Sequence, residues 1–314
     1  MKHINNEIQP KVSIVSVNFN QPEVTCDMIA SIKCALYKNI EIIIVDNGSS
    51  TSIKPIIERY PEIKIISSNK NLGFAGGNNI GFKAATGKYI LMLNNDTEVK
   101  KDFLSPLVDL LENEIKVGIV SSKILYYDNH LIQYAGATPL HPITSRNRYF
   151  GNKEIDNGKF NNRIETAYPH GACMMFRISL LKEIGVFYEG YFLYYEELDF
   201  AERVKKLGYK IMMEPKSVIL HKESVSTGKE SPLKTYYLNR NRLLYLRRNL
   251  KGISFLLASL YFILVSVPKN TITFLFRPSH LKAIYKGLYW NLTHANVHAN
   301  SHLNNLRSNG FIKV

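Results

Sequence analysis

The chain has 314 residues, of which 45% are apolar, and a formal net charge of +14. This length and apolar content exclude a disordered chain and provide a buried core for one large domain. The three cysteines, Cys26, Cys34 and Cys173, are too few and too scattered for a disulfide framework, which favours a reducing compartment. The segment from Met1 to Lys11 is polar, so we expect no export signal there.

The positive charge is concentrated towards the C-terminal end of the chain. Residues 231–314 contain 12 Lys and Arg and no Asp or Glu, whereas the first 230 residues contain 28 basic and 26 acidic side chains. This distribution predicts a nearly neutral domain followed by a strongly basic region. No motif of a nucleic-acid reader accompanies the basic region, so we expect no nucleic-acid partner.

The first half of the chain alternates short apolar runs with helix-like stretches, a pattern typical of parallel strands joined by crossovers. Four strands are predicted: Val12 to Val17, Glu41 to Val45, Ile63 to Ser67 and Tyr89 to Leu93. Polar or small residues follow each of them. Because the carboxyl ends of parallel strands share one edge of a sheet, we expect a polar small-molecule site at that edge.

Two of the segments after these strands have features of a nucleotide site. Asp46-Asn47-Gly48 is a polar turn that could accept hydrogen bonds from a nucleobase, although a purely structural turn explains it equally well. In residues 71–81, Gly and Ala residues before a predicted helix would let a phosphate approach the helix N-terminus closely. Together the two segments favour nucleotide binding.

A candidate metal site follows the fourth strand, which runs directly into Asn94-Asn95-Asp96. A carboxylate with neighbouring amide oxygens can hold Mg²⁺ or Mn²⁺ and leave coordination positions for a diphosphate. Alternatively, Asp96 only caps the segment that comes next. His221 ends a strand-like run, and a lone His in such a place is usually structural.

The most acidic stretch is Glu196-Glu197-Leu198-Asp199, which follows Tyr194-Tyr195. An aromatic surrounding can raise the pKa of a carboxyl group towards that of a general base. A solvated helix start would also account for these acids. General-base chemistry is the interpretation that a neighbouring nucleotide and metal site would favour.

The basic C-terminal region begins with a predicted amphipathic helix from Tyr236 to Asn249, followed by 15 apolar residues from Ile253 to Val267. This run is shorter than the roughly 20 residues that span a bilayer. Five cations come just before it: Arg240, Arg242, Arg247, Arg248 and Lys251. A helix lying in the plane of a membrane is therefore favoured over a buried core helix.

In their order and spacing, the motifs between Val12 and Arg248 resemble family 2 of the glycosyltransferases, and within it the rhamnosyltransferase-like branch of bacterial surface polysaccharide synthesis. The resemblance implies the GT-A fold, an α/β domain with a Rossmann-like, mostly parallel central sheet flanked by helices. That domain would cover residues 1–230, with a nucleotide-binding half over 10–115 and an acceptor half over 116–230. Residues 231–314 would form a basic, helical, membrane-associating extension.

The resemblance also implies roles for individual residues. Phe19 would stack on a pyrimidine base that Asp46 recognises. The other nucleotide-sugar-binding positions would be Asn71, Gly73, Asn78, Asn95, Gly171 and Ala172. Asp96, with Asn94 and His221, would bind a divalent metal, Mn²⁺ or Mg²⁺.

Catalysis would belong to the acidic pair, with Glu197 as the base and Glu196 beside it. Two positions depart from the family pattern. Asn94-Asn95-Asp96 stands where the family has Asp-x-Asp, which implies a modest metal affinity. Glu197 replaces an Asp, which adds a methylene to the reach of the base.

The implied reaction is an inverting transfer from a dTDP- or UDP-sugar, with dTDP-rhamnose as the leading donor, to a glycan or lipid-linked acceptor. It would take place in the cytoplasm, at an anionic membrane surface on the inner face of the cell membrane. One alternative is a nucleotidyltransferase, which should have a basic Gly-rich loop where residues 17–22 contain no Lys or Arg. The other is a non-catalytic module that binds a nucleotide sugar or glycan and has lost turnover through Asn94, Asn95 and Glu197.

Overall fold

A computed structural model of the chain describes residues 9–222 and 230–294. Residues 1–8 of the predicted domain and residues 295–314 of the predicted basic extension lie outside the described residues. In chain order the elements are β1 (Val12–Asn18), α1 (Pro22–Lys33), β2 (Ile40–Asn47), α2 (Lys54–Arg59), β3 (Lys64–Ser68), α3 (Gly73–Ala84), β4 (Tyr89–Leu93), β5 (Thr97–Val99), α4 (Ser105–Asn113), β6 (Val117–Tyr126), β7 (Ile132–Tyr134), β8 (Ile164–Glu165), β9 (Cys173–Arg177), α5 (Leu180–Ile184), α6 (Glu196–Lys206), β10 (Lys210–His221), α7 (Pro232–Asn249), α8 (Gly252–Tyr261), α9 (Val267–Thr273) and α10 (Pro278–Thr293).

The four predicted strands are confirmed and form the parallel half of one sheet, in the order β3-β2-β1-β4. Their central residues, such as Ile14, Ile43 and Leu91, are fully buried. Strands buried on both faces need helices on both sides, which explains their nearly continuous apolar sequences. All four strands point the same way, so their carboxyl ends meet at one edge.

The second half of the sheet is mixed and continues in the order β9-β6-β10-β5. β9 runs antiparallel to both β4 and β6, and β10 is parallel to β6 but antiparallel to β5. The β10–β5 pairing sets His221 opposite Thr97, the residue after Asp96. Topology therefore brings together two candidate metal ligands that are far apart in the sequence.

The predicted helix Tyr236 to Asn249 is confirmed as α7, but its cations face inward. Arg240 and Arg242 are buried, and the guanidinium groups of Arg247 and Arg248 bond to Asn291 and Asp199. The expectation that these four arginines face a membrane is therefore wrong. Each of them satisfies carbonyl or carboxylate oxygens within the described part of the chain, and Lys251 alone of the five predicted cations is exposed.

The apolar run that follows forms a longer helix than its sequence indicates. A continuous helix extends over Gly252–Thr273, with a π turn at Phe262–Ser266. It has 22 residues, and its most apolar 18-residue window has a mean hydropathy of 1.7 and is only 22% buried. The helix does not end with the 15-residue apolar run. A π turn just before Pro268 gives the proline ring room, so the helix continues past it. By length and composition alone, this helix could cross a membrane.

Candidate active site

A cleft of about 420 Å³ opens at the carboxyl edge of the parallel strands. The ends of β1, β2 and β4 form one wall, and the segments before β9 and α6 form the other. Eleven of the predicted site residues line this cleft: Phe19, Asn71, Gly73, Asn94, Asn95, Asp96, Gly171, Ala172, Glu196, Glu197 and His221. The structure thus collects residues from both predicted halves of the domain around one volume.

Two predicted site residues do not line the cleft. Asp46 is buried, and its Oδ1 accepts a hydrogen bond of 3.0 Å from Asn18 Nδ2. The amide of Asn78 donates to the carbonyl of Phe74 at 2.9 Å, which is a contact within α3. Since successive side chains of a strand point to opposite faces, the neighbour of Asp46 faces the cleft instead.

That neighbour, Asn47, holds the loop before α3 through hydrogen bonds to three successive residues. Its Oδ1 accepts from the Leu72 N–H at 3.0 Å, and its Nδ2 donates to Asn71 Oδ1 at 3.1 Å and to the Gly73 carbonyl at 2.9 Å. Gly73 has a φ of +72°, and a Cβ there would lie 2.2 Å from the Phe192 carbonyl oxygen. Glycine is therefore required at the first residue of α3.

The candidate metal ligands Asp96 and His221 are adjacent, with His221 Nε2 3.1 Å from Asp96 Oδ1. On the other side of the ring, His221 Nδ1 lies 2.8 Å from Gln133 Oε1. The Gln133 amide and the Asp96 carboxylate thus hold the His221 ring from opposite sides, with Nε2 turned towards Asp96. Within the described residues, no group of three or more His, Cys, Asp or Glu could hold a metal by itself.

His170, which the sequence did not single out, also lines the cleft, and its ring centroid lies 5.8 Å from that of His221. Burial lowers the pKa of His170 to about 3, and the neighbouring His221 contributes to the shift. Ala172 N–H donates to His170 Nδ1 at 3.0 Å. His170 is therefore a neutral ring with its proton on Nε2.

The acidic pair lies at the start of α6, facing Gly171. A Cβ on Gly171 would lie 3.8 Å from Glu197 Cγ, an ordinary contact distance. Burial raises the pKa of both carboxyl groups, and for Glu196 burial, with the charge of Glu197 added to it, raises the pKa well above its usual range. Glu196 is 3% exposed and its Oε2 has no hydrogen-bond partner among the described residues. Glu197, which is less buried, is thus the first of the two to ionise.

A strained loop leads into this pair. Phe192, Tyr194 and Tyr195 have φ values of +65°, +68° and +78°. Each left-handed residue other than glycine costs about 1–3 kcal/mol unless its surroundings hold it there. Phe192 also lines the cleft, and its carbonyl accepts from the Ala75 N–H at 3.3 Å, which joins the loop to α3.

The third acid of the stretch, Asp199, has a structural role. Its carboxylate pairs with Arg203 at 3.1 Å and with Arg248 at 2.9 Å, and Asn249 donates to it at 3.0 Å. Burial acts to raise the pKa of Asp199, but the two arginines outweigh burial and hold it at about 2. This cluster fixes α6 to α7.

Several other residues that line the cleft could not be predicted from the sequence. Tyr149 comes from a segment without regular structure, and Lys234 belongs to α7, more than 130 residues from the strand edge that it faces. Gln133 lies on the short strand β7. No local pattern marks such residues. Only His170 had a nearby signal, because it directly precedes Gly171-Ala172.

Comparison with known proteins agrees with the fold. Residues 13–185, more than half of the chain, match the family described as Glycosyl transferase family 2. The chain is 28% identical over 238 residues to a low-salt glycan biosynthesis hexosyltransferase of Haloferax volcanii, covering 74% of each protein. It is also 22% identical over 239 residues to an N-acetylglucosaminyl-diphospho-decaprenol L-rhamnosyltransferase of Mycobacterium tuberculosis, covering 69% of this chain and 78% of that protein.

Two solved structures share the fold. GalNAc-T7, solved with UDP, GalNAc and Mn²⁺, gives a TM-score of 0.62 at 15% identity over 84% of this chain and 58% of that one. A mannosyltransferase of Pyrobaculum calidifontis, solved with GDP-Man and Mn²⁺, gives a TM-score of 0.58 at 17% identity over 97% of this chain and 81% of that one. At these identities the likeness establishes the GT-A fold and leaves the substrates open.

Proposed function

This chain belongs to glycosyl transferase family 2 and is a hexosyltransferase, and on that premise we propose that it inverts the anomeric carbon of a nucleotide-diphosphate sugar as it transfers the sugar to a glycan or lipid-linked acceptor. One observation carries the proposal. The Asp96–His221 pair, at the ends of β4 and β10, and the Glu196–Glu197 pair, at the start of α6, line the same cleft. A diphosphate and an acceptor hydroxyl would therefore meet across it.

The donor belongs on the side of β1 and α3. Phe19 offers an aromatic face for the base. The loop at Asn71 leads into the N-terminus of α3 at Gly73, where backbone N–H groups favour a phosphate. We propose a pyrimidine nucleotide, with dTDP-rhamnose first and UDP-sugars second. The mycobacterial relative, named as a rhamnosyltransferase, supports the first choice.

A divalent metal fits the residues at the end of β4. Asn94 Oδ1 is buried without a hydrogen-bond partner among the described residues, and the carboxylate of Asp96 and the imidazole of His221 line the same cleft. These groups make an incomplete shell that diphosphate oxygens would complete. When bound, the metal would act as a Lewis acid that neutralises charge on the leaving diphosphate. The imidazole ligand favours Mn²⁺ over Mg²⁺, and both solved relatives contain Mn²⁺.

The reacting proton is assigned to Glu197. The acceptor oxygen forms a bond to the anomeric carbon as the bond from that carbon to the diphosphate oxygen breaks, and the electron pair leaves with the diphosphate. Glu197 takes the hydroxyl proton from the face opposite the leaving group, so the configuration inverts. Because Glu196 stays protonated, Glu197 ionises beside a neutral neighbour and keeps a raised pKa that suits a base.

Assay of the purified protein with a panel of nucleotide sugars and Mn²⁺ or Mg²⁺ tests the function. We expect acceptor-dependent release of the free nucleoside diphosphate from a dTDP- or UDP-sugar. Donor binding without any release, over a broad acceptor panel, would favour the non-catalytic module. Release of pyrophosphate would favour a nucleotidyltransferase.

We propose further that the helix Gly252–Thr273 docks the enzyme in the plane of an anionic membrane, at the cytoplasmic face. Buried residues on one face, Ala258, Phe262 and Val267, join apolar clusters with α7 and α10, so the helix lies against the domain. The other face is apolar and exposed: Ile253, Leu256, Leu257, Leu260, Ile263 and Leu264. The three free cysteines agree with a reducing compartment.

Since the arginines of α7 face inward, apolar contact should dominate membrane binding. Exposed cations of the same region, such as Lys251 and Lys269, would each add about 1 kcal/mol to the binding free energy at an anionic membrane surface. Binding to anionic liposomes should weaken only partly as salt rises, because salt screens the charge term alone. Leu256→Glu with Leu260→Glu should abolish sedimentation with liposomes, whereas Leu207→Glu, at an exposed site on α6's C-terminal end, should not. Equal sedimentation of both variants would refute the assignment.

A further inference from the structure

We propose that Asn241, together with Arg240, is a positioning residue that holds the loop 190–195 in its left-handed conformation and thereby places Glu197. The inference rests on the proposed function, in which Glu197 is the base. Asn241 lies in the middle of α7, is completely buried and does not line the cleft. Its role is therefore exerted through the backbone that precedes the acidic pair.

The contacts form a clamp on four carbonyl groups of this segment. Asn241 Nδ2 donates to the carbonyl oxygens of Tyr191, Leu193 and Tyr194, at 2.9, 2.7 and 2.9 Å. Arg240 Nη2 donates to the carbonyls of Gly190 and Tyr191, at 2.6 Å each. These two side chains supply donors to carbonyl oxygens of a short 3₁₀ turn, Glu189–Tyr191, and of the loop after it, where the Leu193 N–H also donates to the Tyr191 carbonyl at 2.7 Å.

The clamp is itself held rigid. Arg240 Nε donates to Asn241 Oδ1 at 2.7 Å, which fixes the orientation of the amide so that both of its N–H groups point at the loop. The guanidinium of Arg240 lies 4.5 Å from the Trp290 ring centroid, on α10. Stacking of Phe192 on Tyr237 of α7, with ring centroids 5.1 Å apart, adds a further contact to the same loop.

This arrangement explains how three non-glycine residues remain left-handed immediately before Glu196. Without the donors of Asn241, the carbonyl oxygens of Leu193 and Tyr194 would lose the hydrogen bonds that it donates, and the strained φ values of Phe192, Tyr194 and Tyr195 would be free to relax. Relaxation would shift the first turn of α6 and the carboxylates on it. Donor contacts at Phe19, Asn71 and Asp96 lie on other elements and would remain.

Kinetics and hydrogen exchange together test the clamp, with Asn241→Ala and Asn241→Asp as the variants. Aspartate keeps the shape but removes the donors. We expect kcat to fall by about 10²-fold, as for a misplaced catalytic group, while the dissociation constant of the nucleoside diphosphate stays within about three-fold. Amides of residues 190–197 should exchange faster than in the wild type.

Asn239→Ala is the matched control. Asn239 is also a buried amide of α7, but it bonds to Thr235 and Asn270 and not to the loop. It should leave kcat and loop exchange near wild-type values. Should Asn241→Ala fail to fold, Arg240→Lys replaces it as the test, because lysine keeps the cation but has a shorter reach. Arg240→Lys should likewise lower kcat and leave the dissociation constant of the nucleoside diphosphate near its wild-type value.

Wild-type exchange rates in the loop of Asn241→Ala, or an equal loss of kcat in Asn239→Ala, would overturn the proposal. Hydrogen exchange does not depend on turnover. If the wild-type protein releases no nucleoside diphosphate, the proposed function fails, while the clamp is still judged by exchange in residues 190–197.

Discussion

Replacing Glu197 with Gln removes the proposed base and changes little else. Glutamine keeps the size of the side chain and its hydrogen-bonding capacity but takes up no proton. A positioned general base contributes about 10²–10⁴-fold to rate, so kcat should fall by at least about 10²-fold, equivalent to about 2.7 kcal/mol in the barrier. The residues proposed to hold the base, the phosphates and the metal, such as Phe19, Asn71 and Asp96, are unchanged in this variant, so the dissociation constant of the donor should stay nearly unchanged.

Glu196→Gln is the matched control for this experiment. Burial and the charge of Glu197 hold the pKa of Glu196 well above its usual range, so the wild-type side chain is already neutral and the amide imitates it. Single-turnover rates of both variants, measured with saturating donor and metal, distinguish the two carboxyl groups. If Glu196→Gln is inactive and Glu197→Gln turns over normally, the base is Glu196 and the reasoning from burial is wrong.

The pH dependence gives an independent check on the same pair. A base works when deprotonated, so kcat should rise with pH through a pKa above the ordinary 4.5 of a glutamate. This rise should disappear in Glu197→Gln. The folded protein also holds these protons more tightly than the unfolded chain, so the free energy of unfolding should fall as pH rises from 4.5 through the raised pKa values, and less so in the Gln variants.

Three further predictions concern the donor side of the cleft. Asp96→Ala should abolish turnover without unfolding the protein, and full activity of that variant in the presence of a chelator would contradict the metal assignment. Calorimetry should show UDP or dTDP binding more tightly than ADP or GDP, and equal affinities would remove the case for a pyrimidine. Gly73→Ala should lower the free energy of unfolding by about 1–3 kcal/mol, because a Cβ there meets Phe192, whereas Gly171→Ala has space and should fold like the wild type, as thermal unfolding would reveal.

The sequence predicted those parts of the fold that depend on local pattern. Apolar runs such as Val12 to Val17 can only be buried strands, and their polar ends had to meet at one sheet edge. Asp96 and Glu197 line the cleft, where the family resemblance predicts them, because each directly joins a strand or helix that borders it. Position in the chain was enough for these residues.

Other features depend on tertiary contacts that no local pattern contains. The arginines of α7 appeared to be a membrane-facing cluster because a basic helix beside an apolar run is typical of one. Their carbonyl and carboxylate partners, such as Thr144 for Arg242, lie about 50 to 100 residues away in the chain. Likewise Gln133 becomes relevant only once β7 sets it beside His221.

The inward arginines also change what truncation after Glu230 should do. From the sequence alone, removal of the basic region predicts a more soluble protein that has only lost its membrane contact. In the structure, truncation removes Arg248 and Asn249 from the buried carboxylate of Asp199, which keeps Arg203 as its one ion-pair partner among the described residues and the Tyr191 hydroxyl as a hydrogen-bond donor. Breaking a buried ion pair costs about 3–5 kcal/mol, and the apolar residues of α7 would be lost as well.

We therefore expect the truncated chain to unfold at a markedly lower temperature and to lose turnover even with a water-soluble acceptor. In the full chain, the pKa of Asp199 is depressed to about 2, so its ion pairs stabilise the fold fully above pH 3.8, and this contribution is lost as the pH falls towards 2. The truncated chain should lose much of that acid-dependent stability, which thermal unfolding between pH 2 and 5 would measure. A truncated protein with wild-type unfolding temperature and turnover would show that α7 is a separable membrane anchor after all.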